Sequence, residues 1–280
     1  MKIVTDSAAD LRREEIEEFD IRVASLLIQF PEGEVSAENI SADDFYDRLK
    51  AMSPQIPTTS QPSSGTFKAI YDGLKAEGEE EILSIHISSG LSGTIESARA
   101  AAHQLEGEVD VSLFDTMTLS GTERFHVLAA AAGNRAGWTK EAILNRLKQI
   151  RAQCEVIYTL ETLEYLARGG RIGRIQALAG SLLHLKPVIK VEKADGKYST
   201  AGKERTIQKG LQSIVANLAK VYGKEQPLWV SIMHGQFGEQ AKALEDLVKG
   251  SLNVQRIEVL RISPVLGVHT GPGVVGAAVI

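Results

Sequence analysis

The chain has 280 residues, of which 43% are hydrophobic and 24% charged, and its net charge at pH 7 is −5. This composition is typical of a soluble globular protein, and the negative charge disfavours nucleic acid or an anionic membrane as the main partner. The single cysteine, Cys154, excludes an intramolecular disulfide and a cysteine-based metal cluster, so we expect it to be a small buried side chain.

No apolar run approaches the ~18 residues that a membrane span needs. The first six residues lead directly into a strand-like run and lack the pattern of a signal peptide. We therefore expect a soluble, cytoplasmic protein.

Strands and helices alternate through the first half of the sequence. An extended segment at residues 56–65 has two prolines within six residues, which predicts that it lies outside helix and sheet. The alternation predicts an N-terminal α/β domain of three layers, with a largely parallel sheet covered on both sides. The predicted strands are 2–5, 21–30, 81–87 and 109–114, and the predicted helices are 11–19, 43–52, 66–76, 95–104, 127–132 and one capped by Thr139.

The second half has a different pattern. The sequence Ala194-Asp195-Gly196 separates two strand-like runs, 186–191 and 197–201, and predicts a hairpin. A hairpin among helices indicates an α+β domain, so we place domains at 1–155 and 156–280. The other predicted strands are 156–160, 228–233 and 254–262, and the other predicted helices are 161–168, 172–185, 204–222 and 239–248.

A loop rich in serine and glycine, residues 88–94, joins the predicted strand 81–87 to the predicted helix 95–104. Unpaired N–H groups at a helix start attract anions, and the glycines let the backbone approach a ligand closely. A plain turn with a serine N-cap is the alternative interpretation.

A serine nucleophile is a second interpretation of the same loop. Gly90-Leu91-Ser92-Gly93-Thr94 differs by one residue from the hydrolase pattern G-x-S-x-G, because Thr94 replaces the last glycine. Ser92 could act with His269 and an acid such as Asp6 or Asp115. The many other hydroxyls nearby favour a carboxylate-binding site, which needs several ordinary donors.

The six histidines are far apart and give no helix-borne metal pair. His269 lies in a predicted glycine-rich turn, where no local pattern requires an imidazole, so we expect a functional role. His234 is a weaker candidate. Structural roles are expected for the remaining four, namely His86, His103, His126 and His184.

Taken together, several ordered stretches resemble the DegV family of bacterial fatty-acid-binding proteins, the fatty acid kinase B subunits. In the first half they are Ile3-Val4-Thr5-Asp6-Ser7, Thr59-Ser60-Gln61-Pro62-Ser63, Ser89-Gly90-Leu91-Ser92-Gly93-Thr94 and Asp115-Thr116. In the second half they are Leu163-Glu164-Tyr165-Leu166 with Gly169-Gly170-Arg171-Ile172, Lys186-Pro187, and His269-Thr270-Gly271-Pro272-Gly273.

The resemblance implies a non-enzymatic carrier with one long-chain fatty acid between its two domains and no metal or other cofactor. An ATP-dependent kinase subunit similar to dihydroxyacetone kinase would phosphorylate the bound carboxylate to an acyl-phosphate. Arg205 matches a family arginine on the kinase-facing surface. The implied carboxylate-binding residues are Thr59, Ser60, Ser92, Gly93, Thr94 and His269.

Two alternatives and several details stay open. A serine hydrolase using Ser92 and His269 is the first alternative, and a binding protein for another amphipathic carboxylate or phosphate is the second. We expect a monomer, and the roles of Arg168 and Arg171 are open. Residues expected to line the acyl tunnel are Leu26, Ile28, Leu182 and Leu183.

Overall fold

The computed structural model describes residues 1–175 and 185–280 of the chain. Most of the predicted helix 172–185 lies outside these ranges, as do Leu182, Leu183 and His184; the described part of it includes a 3-10 turn, Gly173–Ile175. Within the described ranges, no helix is both long and apolar enough to cross a membrane.

The first half of the chain contains a parallel sheet and a small antiparallel sheet. Its strands are β1 Lys2–Asp6, β2 Arg22–Ala24, β3 Leu27–Phe30, β4 Gly33–Ser36, β5 Thr58–Ser60, β6 Glu81–His86 and β7 Asp110–Asp115. Its helices are α1 Arg13–Phe19, α2 Ala42–Ala51, α3 Ser64–Ala76, α4 Thr94–His103, α5 Ser120–Arg135 and α6 Lys140–Gln153.

Helices cover both faces of the four-stranded parallel sheet, whose strand order is β2-β1-β6-β7. Successive residues of a strand point to opposite faces. Val4 accordingly packs with Phe67 of α3 and Ala98 of α4, whereas Ile3 belongs to the cluster that contains Phe125 of α5. The predicted three-layer α/β arrangement is confirmed.

Two sequence predictions for this half are wrong in detail. The predicted strand 21–30 is two strands, because β2 joins the parallel sheet while β3 pairs with β4 and β5 in the antiparallel sheet. Residues 56–65, predicted to avoid sheet, contain β5. Pro57 and Pro62 flank this three-residue edge strand, so neither removes an N–H group from its ladder.

The second half is built on one mixed sheet in the order β10-β9-β8-β13-β11-β12. Helices α8 and α9 cover one face, and the predicted hairpin is confirmed as β9 with β10. The strands are β8 Glu155–Leu160, β9 Lys186–Val191, β10 Tyr198–Glu204, β11 Leu228–His234, β12 Val254–Arg261 and β13 Val274–Val279, and the helices are α7 Glu164–Arg168, α8 Ile207–Tyr222, α9 Gly238–Ser251 and α10 Pro264–Thr270.

The two halves share one hydrophobic cluster and a buried ion-pair network. Arg124 of α5 is fully buried; its Nε donates to Glu15 Oε2 of α1 at 2.8 Å, and its Nη1 donates to Glu258 Oε1 of β12 at 2.6 Å. These contacts hold α5 against strand β12 of the C-terminal sheet. The predicted boundary coincides with the start of β8 at Glu155, and the division into two domains there stays a prediction.

Candidate functional site

The centre of the candidate site is a hydrogen bond between Thr59 of β5 and His269 of α10. Thr59 Oγ1 and His269 Nε2 are 2.7 Å apart. Ile28 is the register partner of Thr59 on β3, so the hydroxyl group lies at the edge of the apolar core. His269 was predicted in a glycine-rich turn, but it lies in the last turn of α10, a buried helix with Pro264 in its first turn.

The surroundings of His269 keep its imidazole neutral. The residue is 8% exposed, and burial together with the nearby positive charge of Arg171 lowers its pKa from 6.5 to about 3. Its Nδ1 atom has no hydrogen-bond partner among the described residues and lies close to Gly169, where a Cβ atom would overlap it. A neutral imidazole with a spare nitrogen can donate or accept one further hydrogen bond.

The loop with the other predicted residues lies beside β5. Ser92 Oγ is 2.8 Å from Thr94 Oγ1 and accepts a hydrogen bond from the Thr94 N–H group at 3.3 Å, at the start of α4. Gly93 lies against the side-chain amide of Gln61, which follows Ser60 directly. Gln61 also donates to Ser97 Oγ at 2.9 Å, so this residue joins the end of β5 to α4.

The β9–β10 hairpin of the second half packs against the same loop. Ser88 Oγ donates to the Gly196 carbonyl oxygen at 2.9 Å, and Gly90 lies so close to Asp195 that a Cβ atom would overlap its carbonyl oxygen. The loop that holds Ser92 therefore contacts both halves.

The arginines of interest have different positions. Arg171 lies near His269 and lines a cavity of about 240 Å³ with Gly90 and Lys197. Arg168 pairs with Glu164 at 2.7 Å on α7. Arg205 is exposed and follows β10 directly, so the helix predicted from 204 in fact starts at Ile207, after an N-cap at Thr206.

The structure does not assemble the serine-hydrolase arrangement. Ser92 and His269 are both described and form no hydrogen bond with each other; each has its own hydroxyl partner. An Asp–His–Ser series does exist elsewhere, since His86 Nδ1 is 3.0 Å from Asp6 Oδ2 and His86 Nε2 is 2.7 Å from Ser84 Oγ. All three side chains are buried in the core, and Ser84 and His86 have no exposed surface, so a substrate cannot reach the Ser84 hydroxyl group.

Cys154, His126 and His234 have contacts or burial that indicate structural roles. Cys154 is buried, as predicted, and burial raises its thiol pKa to about 12. His126 is buried with its pKa lowered by burial to about 4. His234 Nδ1 accepts a hydrogen bond from the Phe237 N–H group at 3.3 Å. Within the described ranges, no three His, Cys, Asp or Glu side chains could hold a metal ion.

A small apolar cavity adjoins α10 between the two halves. Its volume is about 20 Å³, which is room for about one water molecule, and its walls include Leu119, Tyr158, Leu266 and Val274. A long acyl chain cannot enter here unless these side chains, or the two halves, move apart.

Sequence reasoning missed the roles of Gly169, Arg171 and Gln61. All three belong to stretches that carried the family resemblance, but their local patterns resemble ordinary turn residues. Only the folded chain shows Gly169 and Arg171 beside His269, and Gln61 against Gly93.

Comparison with known proteins gives consistent matches over the whole chain. A DegV family model, described as an uncharacterised protein family, matches residues 1–280. A DegV domain-containing protein of Deinococcus radiodurans is 37% identical over 260 residues, which is 92% of this chain and 88% of the relative. Another from Clostridium acetobutylicum is 33% identical, over 99% of this chain and 97% of the relative.

Solved structures also match this chain over nearly its whole length. A fatty-acid-binding DegV family protein of Thermus thermophilus is 31% identical with a TM-score of 0.91, over 99% of this chain and 98% of that one. DegV of Bacillus subtilis, a fatty acid binding protein, is 30% identical with a TM-score of 0.89 and the same coverage. A stearic-acid-binding protein of Eubacterium ventriosum is 27% identical with a TM-score of 0.91, over 100% and 97%. The chain belongs to the DegV family.

Proposed function

We propose that this chain binds one long-chain fatty acid between its two domains, residues 1–155 and 156–280, and presents the carboxylate to an ATP-dependent fatty acid kinase subunit. The observation that carries the proposal is the partly buried Thr59–His269 hydrogen bond next to the apolar core. Solved DegV structures that bind fatty acids support the ligand class.

The acyl chain supplies most of the affinity. Each methylene group removed from water contributes ~0.8 kcal/mol, so a 16-carbon chain contributes roughly 12 kcal/mol before the costs of binding. The head-group residues then fix the position of the carboxylate and satisfy its hydrogen bonds, because a buried carboxylate without partners would be costly.

Thr59 and His269 act together at the carboxylate. With the hydrogen on Nε2, neutral His269 donates to Thr59 Oγ1, and the Thr59 hydroxyl group is then free to donate to a carboxylate oxygen. Ser92 and Thr94 supply further hydroxyl donors at the start of α4, where the helix dipole favours an anion. The charge of Arg171 adds long-range attraction.

Arg205 lies at the end of the C-terminal sheet that also holds the segment after His269, which supports the proposal that it contacts the kinase subunit. Its neighbour Glu204 pairs with Lys186, Lys186 Nζ donates to the Glu161 carbonyl, and Glu161 N–H donates to the Gly273 carbonyl. This row spans three strand spacings, about 14 Å, and ends in the segment that follows His269. Arg205 is exposed there, which suits a kinase contact.

The test uses fatty acid retention and phosphoryl transfer in parallel. Thr59→Ala with Ser92→Ala should reduce retention of bound fatty acid and the transfer of labelled γ-phosphate from ATP by a dihydroxyacetone-kinase-like fatty acid kinase subunit. Arg205→Ala should reduce phosphoryl transfer only, and the exposed neighbour Lys203→Ala is its control. If the double variant left both quantities unchanged, the head-group assignment would be wrong.

A further inference from the structure

A deep groove lies between the two halves, away from the head-group residues. Its volume is about 950 Å³, at the upper end of the ~300–1,000 Å³ range of small-molecule sites. Helices α1, α5 and α6 form one wall, strands β11 and β12 form the other, and Ile280 closes one part. It shares no lining residue with the cavities beside His269 and Arg171.

The base of this groove is apolar and aromatic. Phe125 and Trp229 have ring centroids 4.9 Å apart, and Phe19, Leu128 and Ile150 extend the same surface. Trp229 Nε1 donates to Glu258 Oε1 at 3.0 Å, so the indole orientation is fixed. A fixed aromatic surface binds a flat or extended apolar body at little entropic cost.

Two arginines border this surface without an acidic partner. Arg256 lies over the Trp229 ring, 4.2 Å from its centroid, and the Arg146 side chain hydrogen bonds to Gln149 at 3.3 Å. In the part of the chain that the structure describes, neither has a carboxylate within ion-pair distance.

The acidic residues of the groove are mostly neutralised by other arginines. Glu15 pairs with Arg12 at 2.8 Å and also with Arg124, and Glu18 pairs with Arg135 at 2.8 Å. Glu14 is the remaining acid in the lining. Among the described residues, Arg146 and Arg256 are therefore two arginines of this apolar groove that have no carboxylate partner.

We propose that this groove is a second binding site, for an amphipathic organic anion with a flat or extended apolar body and one acidic group. Such a ligand would place its apolar body on Phe125 and Trp229 and its acidic group between Arg146 and Arg256. Because α5 and β12 both contribute, a bound ligand would add contacts between the two halves.

The test uses 8-anilinonaphthalene-1-sulfonate as the probe and Trp229 as the reporter. Trp138→Phe leaves Trp229 as the only tryptophan, since the chain has two. Energy transfer from Trp229 to the probe should saturate at one probe per chain, in protein loaded with a single equivalent of oleate. Arg146→Glu with Arg256→Glu should weaken binding at least tenfold, and Ala132→Phe, at an exposed lining position, should block it.

Matched variants separate this site from the head-group site. Lys209→Glu with Lys220→Glu, both exposed on α8, makes the same change in charge and should leave probe affinity unchanged. Thr59→Val should also leave it unchanged. A titration that does not saturate, equal affinity in the groove variants, or equal loss in Thr59→Val would overturn the proposal.

Discussion

Thr59 Oγ1 and His269 Nε2 lie 2.7 Å apart although 210 residues separate them in the chain. This contact joins the edge strand β5 to helix α10 and places both side chains beside the apolar core. Both groups are uncharged, because burial and the nearby charge of Arg171 lower the pKa of His269 to about 3.

The neutral state of His269 predicts a pH-dependent cost to stability. Its pKa is about 3 in the folded chain and ordinarily 6.5. Below pH 6.5 the unfolded chain therefore binds a proton that the folded chain does not bind. The free energy of unfolding therefore falls as the pH falls, by about 2 kcal/mol between pH 7 and pH 5 from this residue.

Urea unfolding at pH 7 and pH 5 tests this cost. Between these pH values, the free energy of unfolding of His269→Gln should fall by about 2 kcal/mol less than that of the wild type, because glutamine does not titrate. The exposed His103→Gln is the control and should behave as the wild type does. An identical pH dependence in His269→Gln would contradict the assignment.

Gly196 holds the hairpin against the Ser88–Gly90 turn. Gly196 has φ +63°, and a Cβ atom there would overlap Ser88 Oγ. Gly196→Ala should therefore lower the free energy of unfolding and speed the release of fatty acid. Gly137→Ala is the matched control, since Gly137 has φ +77° with nothing within 4 Å, and it carries the backbone strain alone.

The informative result is the difference in the free energy of unfolding between Gly196→Ala and Gly137→Ala. Overpacking of this kind costs about 1–3 kcal/mol beyond the backbone strain. Stopped-flow transfer of a fluorescent fatty acid to acceptor vesicles would measure the release rate. Equal release rates in Gly196→Ala and Gly137→Ala would show that the hairpin contact does not limit ligand exit.

Arg124 is predicted to be critical for stability. Arg124→Leu leaves the carboxylates of Glu15 and Glu258 with only the exposed Arg12 as a cationic partner, and the loss of such a buried ion pair costs about 3–5 kcal/mol. Arg135→Leu removes an exposed pair with Glu18 and should cost less than ~1 kcal/mol. Urea unfolding measures both, and similar costs would contradict the role of the buried network.

Ser92 is predicted to be unreactive toward a covalent serine probe. Its hydroxyl group lies beside Thr94, and among residues 1–175 and 185–280 it has no hydrogen bond to an imidazole that could remove its proton. A fluorophosphonate should give no adduct at Ser92 by peptide mass spectrometry, whereas an adduct that required His269 would restore the hydrolase hypothesis.

Local sequence patterns predicted the elements whose stability is local. The run at 81–87 matches β6, and Thr139 caps α6 by accepting a hydrogen bond from the Ala142 N–H group at 3.2 Å. These signals depend on hydrophobic periodicity and on capping side chains a few residues away.

Long-range contacts explain what local patterns could not predict. Strand β5 exists because Leu27–Gln29 offers a partner about thirty residues earlier, and α10 forms because it is buried between the halves. Similarly, no local pattern pairs Thr59 with His269. The family resemblance alone placed both residues at one site, and their role at the carboxylate stays a prediction.

Fatty acid binding is tested most directly by denaturing organic extraction of the purified protein, followed by mass spectrometry of the extract. We expect about one C14–C18 fatty acid per chain, and uptake of one equivalent by delipidated protein. An extract without fatty acid, together with no uptake of added fatty acid, would contradict the carrier function.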